Sequence, residues 1–349
     1  MKRDQIRLGI IGAGAAVRKL HYPVLQAMAE ELPVVAVCNQ NRNNAEAFVR
    51  SMAVRAEVFN DYEALLESEA IDAVLISVPI ALSGSVLSKA IAANKHVLSE
   101  KPLAATPEEG FEILDACSRT EDVVAIGENF RYRKDVKKAR QVIAAGEIGQ
   151  PFSFQLTIWL DLEAESRQVW AERPWRRKPT HPGGFVLDAG IHAVCGLRDV
   201  LGDVKDVYAQ IFRQSAATDG PDNLLMQVTM QNGAVGHCFA SYTAKVPREV
   251  FFRLGVLGKE GSLEILDGEV SWGAGMGNLN SFRSDSTDRG YQAQWQNFVA
   301  AIHGREPLIS SPEQAYEDLL VIDAALESAA TGKNVSIASR KAKQRSKAG

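Results

Sequence analysis

The spacing of hydrophobic positions changes near residue 127 and divides the chain into two patterns. Before that point, short continuous apolar runs alternate with stretches in which apolar residues recur every three or four positions. Continuous apolar runs are typical of strands covered on both faces, so this alternation predicts a parallel sheet between layers of helices. The predicted strands are 6–11, 34–38, 73–78, 96–99 and 123–127, and the predicted helices are 19–30, 44–52, 83–93 and 107–119.

The second pattern is a series of extended segments separated by turn signals such as Asn232-Gly233 and Asp267-Gly268. It predicts an α+β domain with a mainly antiparallel sheet. The predicted strands are 152–160, 207–212, 224–230, 234–242, 250–257 and 262–266, and the predicted helices are 136–145, 291–303 and 312–331. We therefore assign residues 1–127 to a first domain, 128–337 to a second domain and 338–349 to a basic, disordered tail.

Composition and charge exclude several classes of protein. The 349 residues are 46% hydrophobic and 23% charged, as in an ordinary globular chain of two domains. The net charge of −4 predicts no nucleic-acid partner. No apolar run reaches ~18 residues and the N-terminal run leads into glycines, so we expect neither a membrane span nor a signal peptide. The four cysteines (Cys38, Cys117, Cys195 and Cys238) form no CxxC pair, which argues against a zinc site and favours a cytoplasmic location.

A glycine turn stands directly after the first predicted strand and before a helix. Gly12 permits a tight turn, and Gly14 lets a pyrophosphate approach the backbone at the positive end of the helix. The third glycine position holds Val17, so the dinucleotide-binding pattern is partial. Gly12, Ala13 and Gly14 are the predicted pyrophosphate site.

The end of the second predicted strand leaves the choice of nucleotide open. A carboxylate at this place grips the adenosine ribose in NAD-binding proteins, but here it is replaced by Asn39. Asn39 suits a free ribose hydroxyl, whereas Arg42 suits the 2′-phosphate of NADP or a solvated helix start. The predicted cofactor is therefore NAD or NADP.

Two segments carry candidate acid–base chemistry. Lys101 lies between Glu100 and Pro102 at the carboxyl end of a strand, where open parallel sheets bind ligands. If Asp188 opens a helix, it shares one face with His192, and a carboxylate beside an imidazole makes a general base. A capping aspartate with a half-buried histidine is the structural alternative, and no third ligand stands at the spacing of a metal site.

The sequence resembles the Gfo/Idh/MocA oxidoreductase family, the glucose–fructose oxidoreductase and inositol dehydrogenase type. The resemblance extends from Ile6 to about Ile337 and depends on the order and spacing of several short motifs. They are GIIGAG at 9–14 with His21-Tyr22-Pro23, KHVLSEKPLA at 95–104, NFRYR at 129–133, GEIGQP at 146–151, GGFVLDAGIH at 183–192 and YQAQWQNFVAAI at 291–302.

This resemblance implies an N-terminal Rossmann domain, which is a doubly wound parallel sheet, and a C-terminal α+β domain with a large open sheet. It implies that Lys101, Asp188 and His192 are catalytic. Ser77, Val78, Pro79, Glu100 and Asn129 would line the cofactor channel from adenosine to nicotinamide. Further candidates for substrate contacts are Arg131, Trp175, Arg176, Cys195 and Tyr291. The open sheet face is typically an oligomer interface in such proteins, which predicts a homo-oligomer, a dimer or a tetramer.

Two positions depart from the family pattern. Ser83 follows Val78-Pro79-Ile80 where many members have Thr-Pro-Asn and then a histidine, and Cys195 replaces an aspartate that often holds substrate. The lost carboxylate favours a different or more apolar ligand than a plain polyol.

The predicted activity is hydride transfer between a nicotinamide and a hydroxyl or carbonyl carbon of a sugar-like small molecule. Two alternatives stay open. One is an oxidoreductase that keeps and recycles a tightly bound cofactor, and the other is a non-catalytic regulator that senses NAD(P). The sequence names neither the substrate nor the physiological direction.

Overall fold

The chain folds into two compact units. The computed structural model describes residues 5–275, 277, 279–285 and 289–348, without the side chains of residues 167, 168, 171 and 343–348. The first unit contains the chain up to Glu128 together with Tyr291–Tyr316, and the second contains Asn129–Gly290 together with the chain from Glu317 onward. The sequence assigns residues 291–316 to the second domain. They group with the first unit because Trp295, Phe298 and Val299 are part of its hydrophobic core.

A six-stranded parallel sheet forms the first unit, in the order β3-β2-β1-β4-β5-β6. Its strands are β1 Leu8–Ile11, β2 Val34–Cys38, β3 Glu57–Phe59, β4 Ala73–Ile76, β5 His96–Glu100 and β6 Val124–Gly127. Because β1 pairs with both β2 and β4, the strand order reverses there, and in such sheets the crevice beyond the carboxyl ends at this point binds ligands. This is the doubly wound sheet that the sequence predicts.

The helices of the first unit follow the predicted pattern with two differences. They are α1 Tyr22–Ala27, α2 Arg42–Ser51, α3 Tyr62–Glu67, α4 Ile80–Ala92 and α5 Pro107–Cys117. The predicted helix over 19–30 is instead a π-helical turn, Val17–His21, followed by the short α1, because Pro23 lacks the N–H of a continuous helix. The sequence also misses β3 and α3, which are too short to show a period.

A nine-stranded sheet forms the second unit, in the order β14-β13-β12-β11-β7-β10-β9-β8-β15. Its strands are β7 Pro151–Trp159, β8 Val204–Phe212, β9 Asn223–Met230, β10 Val235–Ser241, β11 Val250–Gly258, β12 Ser262–Leu266, β13 Glu269–Gly273, β14 Asn280–Arg283 and β15 Val335–Ser336. The pairing is antiparallel except between β7 and β10. The prediction of a mainly antiparallel sheet is confirmed.

The remaining helices are α6 Lys134–Ala144, α7 Gln168–Ala171, α8 Pro174–Arg177, α9 Gly184–Asp188, α10 Gly190–Leu201, α11 Tyr291–Ile302, α12 Pro312–Thr331 and α13 Ile337–Ala348. The helix α13 lies where the sequence predicts a disordered tail. Its first turns are held by ion pairs of Arg340 with Asp323 and Glu327 and of Lys341 with Glu317, and these partners are not visible in the local sequence. Among the described residues, no helix has both the length and the hydropathy needed to cross a membrane.

Candidate functional site

The glycine turn after β1 is built around a backbone conformation that requires glycine. Gly12 has a φ of +96°, and its N–H donates to the carbonyl of Cys38 at 2.9 Å. A Cβ at Gly12 would lie 2.1 Å from the carbonyl oxygen of Ser77. The turn is thus hydrogen-bonded to the end of β2 and closely packed on the end of β4, and a side chain at Gly12 would push the ends of β1 and β4 apart.

Open space lies beside the next glycine of the turn. A Cβ at Gly14 would meet no atom within 4 Å among the described residues, and Ala13 is buried. This is the space that a pyrophosphate needs in order to approach the backbone. The third glycine position holds Val17, which is fully buried in the core of the unit. Val17 therefore packs in the core, and the open space beside Gly14 is kept.

The carboxyl end of β2 carries no acidic group at the place of Asn39. Its Oδ1 accepts from the Asn41 N–H at 3.1 Å, and the Asn41 side chain caps α2. The Arg42 guanidinium lies 3.1 Å from a carboxylate oxygen of Glu46, and the side chain of Arg42 is 56% exposed. Asn39 itself therefore adds no negative charge that would repel a 2′-phosphate.

The end of β4 leads into three of the other predicted cofactor contacts of the first unit. The Ser77 N–H donates to the carbonyl of Ile11 at 2.8 Å, Val78 follows, and Pro79 stands at the start of α4. Ser83, which departs from the family pattern, is buried. Its hydroxyl donates to the carbonyl of Ile80 in the same helix, α4.

Lys101 follows the last residue of β5 and is partly exposed, and its peptide bond to Pro102 is cis. The neighbouring carboxylate oxygen of Glu100 lies 2.6 Å from Nε2 of His21. His21 is fully buried, and the sequence analysis gave it no role. No local signal reveals this pair, because 79 positions separate the two residues.

The second unit holds Asp188 and His192, and here the sequence prediction needs correction. Asp188 does not open a helix. It is the last residue of α9, Ala189 breaks the helix, and His192 lies in the first turn of α10. The imidazole of His192 is stacked on the ring of Phe130, with centroids 4.9 Å apart and an interplanar angle of 18°.

Asp188 is buried, and an arginine side chain holds its carboxylate. The Arg176 Nε donates to its carboxylate at 2.6 Å, and Nη1 of the same guanidinium donates to the carbonyl of Trp170 at 2.8 Å. The guanidinium also lies 4.5 Å from the centroid of the Trp175 ring. Burial lowers the pKa of nearby His181, an effect that the Asp188 carboxylate opposes. Two of the predicted substrate contacts, Trp175 and Arg176, thus group with Asp188.

Asn129 carries an unsatisfied acceptor in the second unit. Its Nδ2 donates to the carbonyl of Arg289 at 2.7 Å, whereas its buried Oδ1 has no hydrogen-bond partner among the described residues. Such an orphaned oxygen is costly unless a further donor satisfies it. This unpaired oxygen fits the prediction that Asn129 contacts a bound nucleotide.

Three predicted substrate contacts have other surroundings in the structure. Arg131 is buried and ion-paired with Asp318 at 2.5 Å, so the proposed substrate contact is replaced by a structural ion pair. Cys195 is fully buried within α10 and does not reach the surface. The ring of Tyr291 packs edge-on against His21, with centroids 5.2 Å apart. We leave Arg131 and Cys195 out of the proposed site.

Comparisons with known proteins give matches in both units of the chain. Residues 6–128 match a family model described as the GFO/IDH/MocA oxidoreductase family with an NAD-binding Rossmann fold, and residues 136–264 match the C-terminal domain of the same family. The chain is 24% identical to a D-glucoside 3-dehydrogenase from Escherichia coli over 97% of this chain and 99% of the relative.

Two solved structures extend the comparison. An oxidoreductase from Thermotoga maritima has a TM-score of 0.88 and 31% identity, covering 96% of this chain and 99% of its own. A levoglucosan dehydrogenase in complex with NADH and levoglucosan has a TM-score of 0.84 at 22% identity, covering 95% and 99%. The second likeness, at this identity, concerns the fold alone.

Proposed function

This chain belongs to the GFO/IDH/MocA oxidoreductase family, which binds NAD through a Rossmann fold, and we propose that it oxidises or reduces a sugar, cyclitol or related polyol at a CH–OH or carbonyl carbon. The observation that carries this proposal is the buried Asp188 carboxylate held at 2.6 Å by Arg176 and followed by a partly exposed His192. The glucoside dehydrogenase among the relatives supports a sugar-like substrate.

The proposed roles follow from the chemistry of each side chain. In the oxidative direction, His192 accepts the hydroxyl proton as the carbon becomes a carbonyl, and in the reductive direction it returns the proton. A bound nicotinamide supplies hydride chemistry by taking or giving the electron pair and hydrogen of the C–H bond. Lys101 is proposed to hydrogen-bond the substrate oxygen, which favours its deprotonation. Asp188 is proposed to support the charged form of His192.

Gly12, Ala13 and Gly14 are proposed to hold the pyrophosphate of the nucleotide. Asn39, Arg42, Ser77, Val78, Pro79, Glu100 and Asn129 are proposed to contact the rest of it. The first experiment measures binding of NAD, NADH, NADP and NADPH by calorimetry on protein checked for bound nucleotide. Selective binding of the phosphorylated pair would assign Arg42 to the 2′-phosphate, whereas binding of neither pair to empty, folded protein would overturn the assignment.

The second experiment tests the catalytic roles in a screen of aldoses, glycosides and inositols with the nucleotide that binds. We expect Lys101→Met and His192→Asn each to lower kcat about 10²–10⁴-fold, the range of a lost acid–base group. The matched controls are Lys205→Met and His237→Asn, which change exposed side chains of the sheet. Turnover that survives either site variant nearly intact would show that the roles are wrong. Nucleotide that co-purifies and resists dialysis would instead identify the recycling oxidoreductase.

An apolar outer face supports the proposal that the chain forms a homo-oligomer. In the second unit, Tyr208, Phe212, Leu225, Val235 and Leu257 are each at least 40% exposed and alternate with buried residues along β8 to β11. Large exposed apolar faces mark interaction sites. Sedimentation equilibrium should show a dimer or tetramer that Leu225→Asp weakens, and a wild-type monomer would refute the proposal. The cytoplasmic location stays a prediction.

A further inference from the structure

A buried histidine connects two distant parts of the first unit through both of its ring nitrogens. The Nδ1 of His21 lies 3.1 Å from the indole Nε1 of Trp295 in α11, and its Nε2 lies 2.6 Å from Oε1 of Glu100. Both His21 and Trp295 are completely buried. The three side chains form one continuous line of hydrogen bonds, which we name the Trp295–His21–Glu100 relay.

The direction of each hydrogen bond in the relay follows from the donors available. An indole nitrogen only donates, so Nδ1 of His21 must be the acceptor and therefore carries no proton. The ring proton lies on Nε2 and is donated to the Glu100 carboxylate. Trp295 thus selects the tautomer of His21, and that tautomer presents a donor to Glu100. Such a partner on one nitrogen is the usual way to fix which nitrogen of a histidine is protonated.

The relay ends at a place where position matters for the proposed reaction. Glu100 is the last residue of β5, and the next residue is Lys101. A Cβ at Gly127 on the neighbouring strand would lie only 3.4 Å from the Glu100 Cα, so that side of the strand end is already closely packed. The hydrogen bond with His21 fixes the Glu100 side chain as well, and this restrains the backbone that presents Lys101.

We propose that Trp295 and His21 are positioning residues for hydride transfer, an inference that rests on the proposed function. They hold the Glu100 carboxylate in one orientation, and thereby hold the end of β5 in register for Lys101. Displacement of a reacting group by about 1 Å costs on the order of 10²-fold in rate. Breaking the relay should therefore lower kcat more than it changes nucleotide binding.

Three substitutions at His21 separate positioning from packing. His21→Gln places an amide N–H close to where Nε2 donates, His21→Asn keeps only a group close to Nδ1, and His21→Leu keeps the volume but no hydrogen bond. We expect the Gln variant to keep kcat within about 5-fold and the Asn and Leu variants to lose about 10–100-fold. The dissociation constant for NADH should stay within about 3-fold in all of them. If the role of His21 were packing, the Leu variant would be the most active of the three.

Trp295→Phe tests the other end of the relay, and the chain offers a matched control. Trp272 in the second unit also donates its indole N–H to a side chain, in its case the carboxylate of Glu147, at 2.6 Å. Trp272→Phe loses the same kind of hydrogen bond and should leave kcat unchanged, whereas Trp295→Phe should lower it about 10-fold. Equal kcat losses in both variants would overturn the positioning role.

A spectroscopic measurement reads the relay without any substrate. In ¹⁵N-labelled, nucleotide-free protein, His21 should show the Nε2–H tautomer, with Nδ1 at the shift of an unprotonated nitrogen, and Trp295→Phe should broaden or mix this signal. Finding the Nδ1–H tautomer in the wild type would overturn the relay itself. If no polyol is turned over by the wild type, the proposed function fails together with the kinetic role, while the tautomer still decides whether the relay exists.

Discussion

Adding one methyl group at each of the two glycines of the turn after β1 should produce opposite results. Gly12→Ala places a Cβ 2.1 Å from the Ser77 carbonyl oxygen at a φ of +96°. The left-handed backbone costs an alanine about 1–2 kcal/mol. Since real Cβ contacts are essentially never closer than 3.0 Å, the ends of β1 and β4 must also separate, which adds about 1–3 kcal/mol. Gly12→Ala should therefore lower the free energy of unfolding by about 2–5 kcal/mol.

Gly14→Ala should leave the fold intact and weaken nucleotide binding. The new methyl group meets no described atom within 4 Å, and an alanine loses less backbone entropy on folding than a glycine. The free energy of unfolding should change by less than about 1 kcal/mol. The same methyl group fills the space that the pyrophosphate needs, so the affinity for NADH should fall at least about tenfold, or about 1.4 kcal/mol.

Urea unfolding and calorimetric titration with NADH measure the two effects separately. Gly255→Ala in β11 is the matched control, because a Cβ there also meets nothing within 4 Å and the residue lies in the second unit. It should change neither quantity beyond about 1 kcal/mol. Wild-type affinity in Gly14→Ala would refute the assignment of the open space to the nucleotide. Wild-type stability in Gly12→Ala would refute the steric argument.

Two further predictions concern the second unit. Asp318→Asn removes the buried carboxylate that Arg131 and Arg198 share, and it should lower the free energy of unfolding in urea by about 3–5 kcal/mol. The control is Asp203→Asn, which removes a second partner of Arg198. Because Asp203 is 60% exposed, this variant should lose at most about 1 kcal/mol. If the two variants are equally stable, the buried pairing is unimportant. Burial lowers the pKa of His181, which favours its neutral form in the folded state. The contribution of His181 to stability should therefore fall as the pH drops below about 6.5, where the unfolded chain takes up the proton, and this contribution has a slope of at most about 1.4 kcal/mol per pH unit. His181→Gln should flatten that slope between pH 7.5 and 5.5, and an unchanged slope would contradict the pKa shift.

The sequence predicted the elements that have a local signal. Five of the six strands of the first sheet coincide with the predicted apolar runs, and the glycine turn stands at the strand–helix junction where such turns bind nucleotides. The three-residue β3 has too few positions to show any period. In the second unit, the parallel pairing of β7 with β10 joins segments far apart in the chain, so turn signals do not reveal it.

The candidate site was predictable in residue type but not in arrangement. The spacing of Asp188 and His192 suits one helix face, yet the helix breaks at Ala189. The adjacent Gly190 weakens a helix, but single glycines are tolerated in helices and do not locate a break. Arg131 resembles a ligand-binding arginine until its partner Asp318, 187 positions away, is known. His21, the partner of Glu100, is also remote in sequence, 79 positions away. Long-range ion pairs and hydrogen bonds decide these roles, and periodicity carries no information about them.

The return of residues 291–316 to the first unit also determines when that unit can form during translation. Once the ribosome has made residue 128, all six strands of the parallel sheet exist, but the core still lacks Trp295, Phe298 and Val299. Part of the apolar surface of the nascent sheet therefore stays uncovered while residues 129–290 of the second unit are synthesised. A gene fragment that ends at residue 128 would therefore encode every strand of the nucleotide-binding sheet and still produce an incompletely covered, aggregation-prone protein.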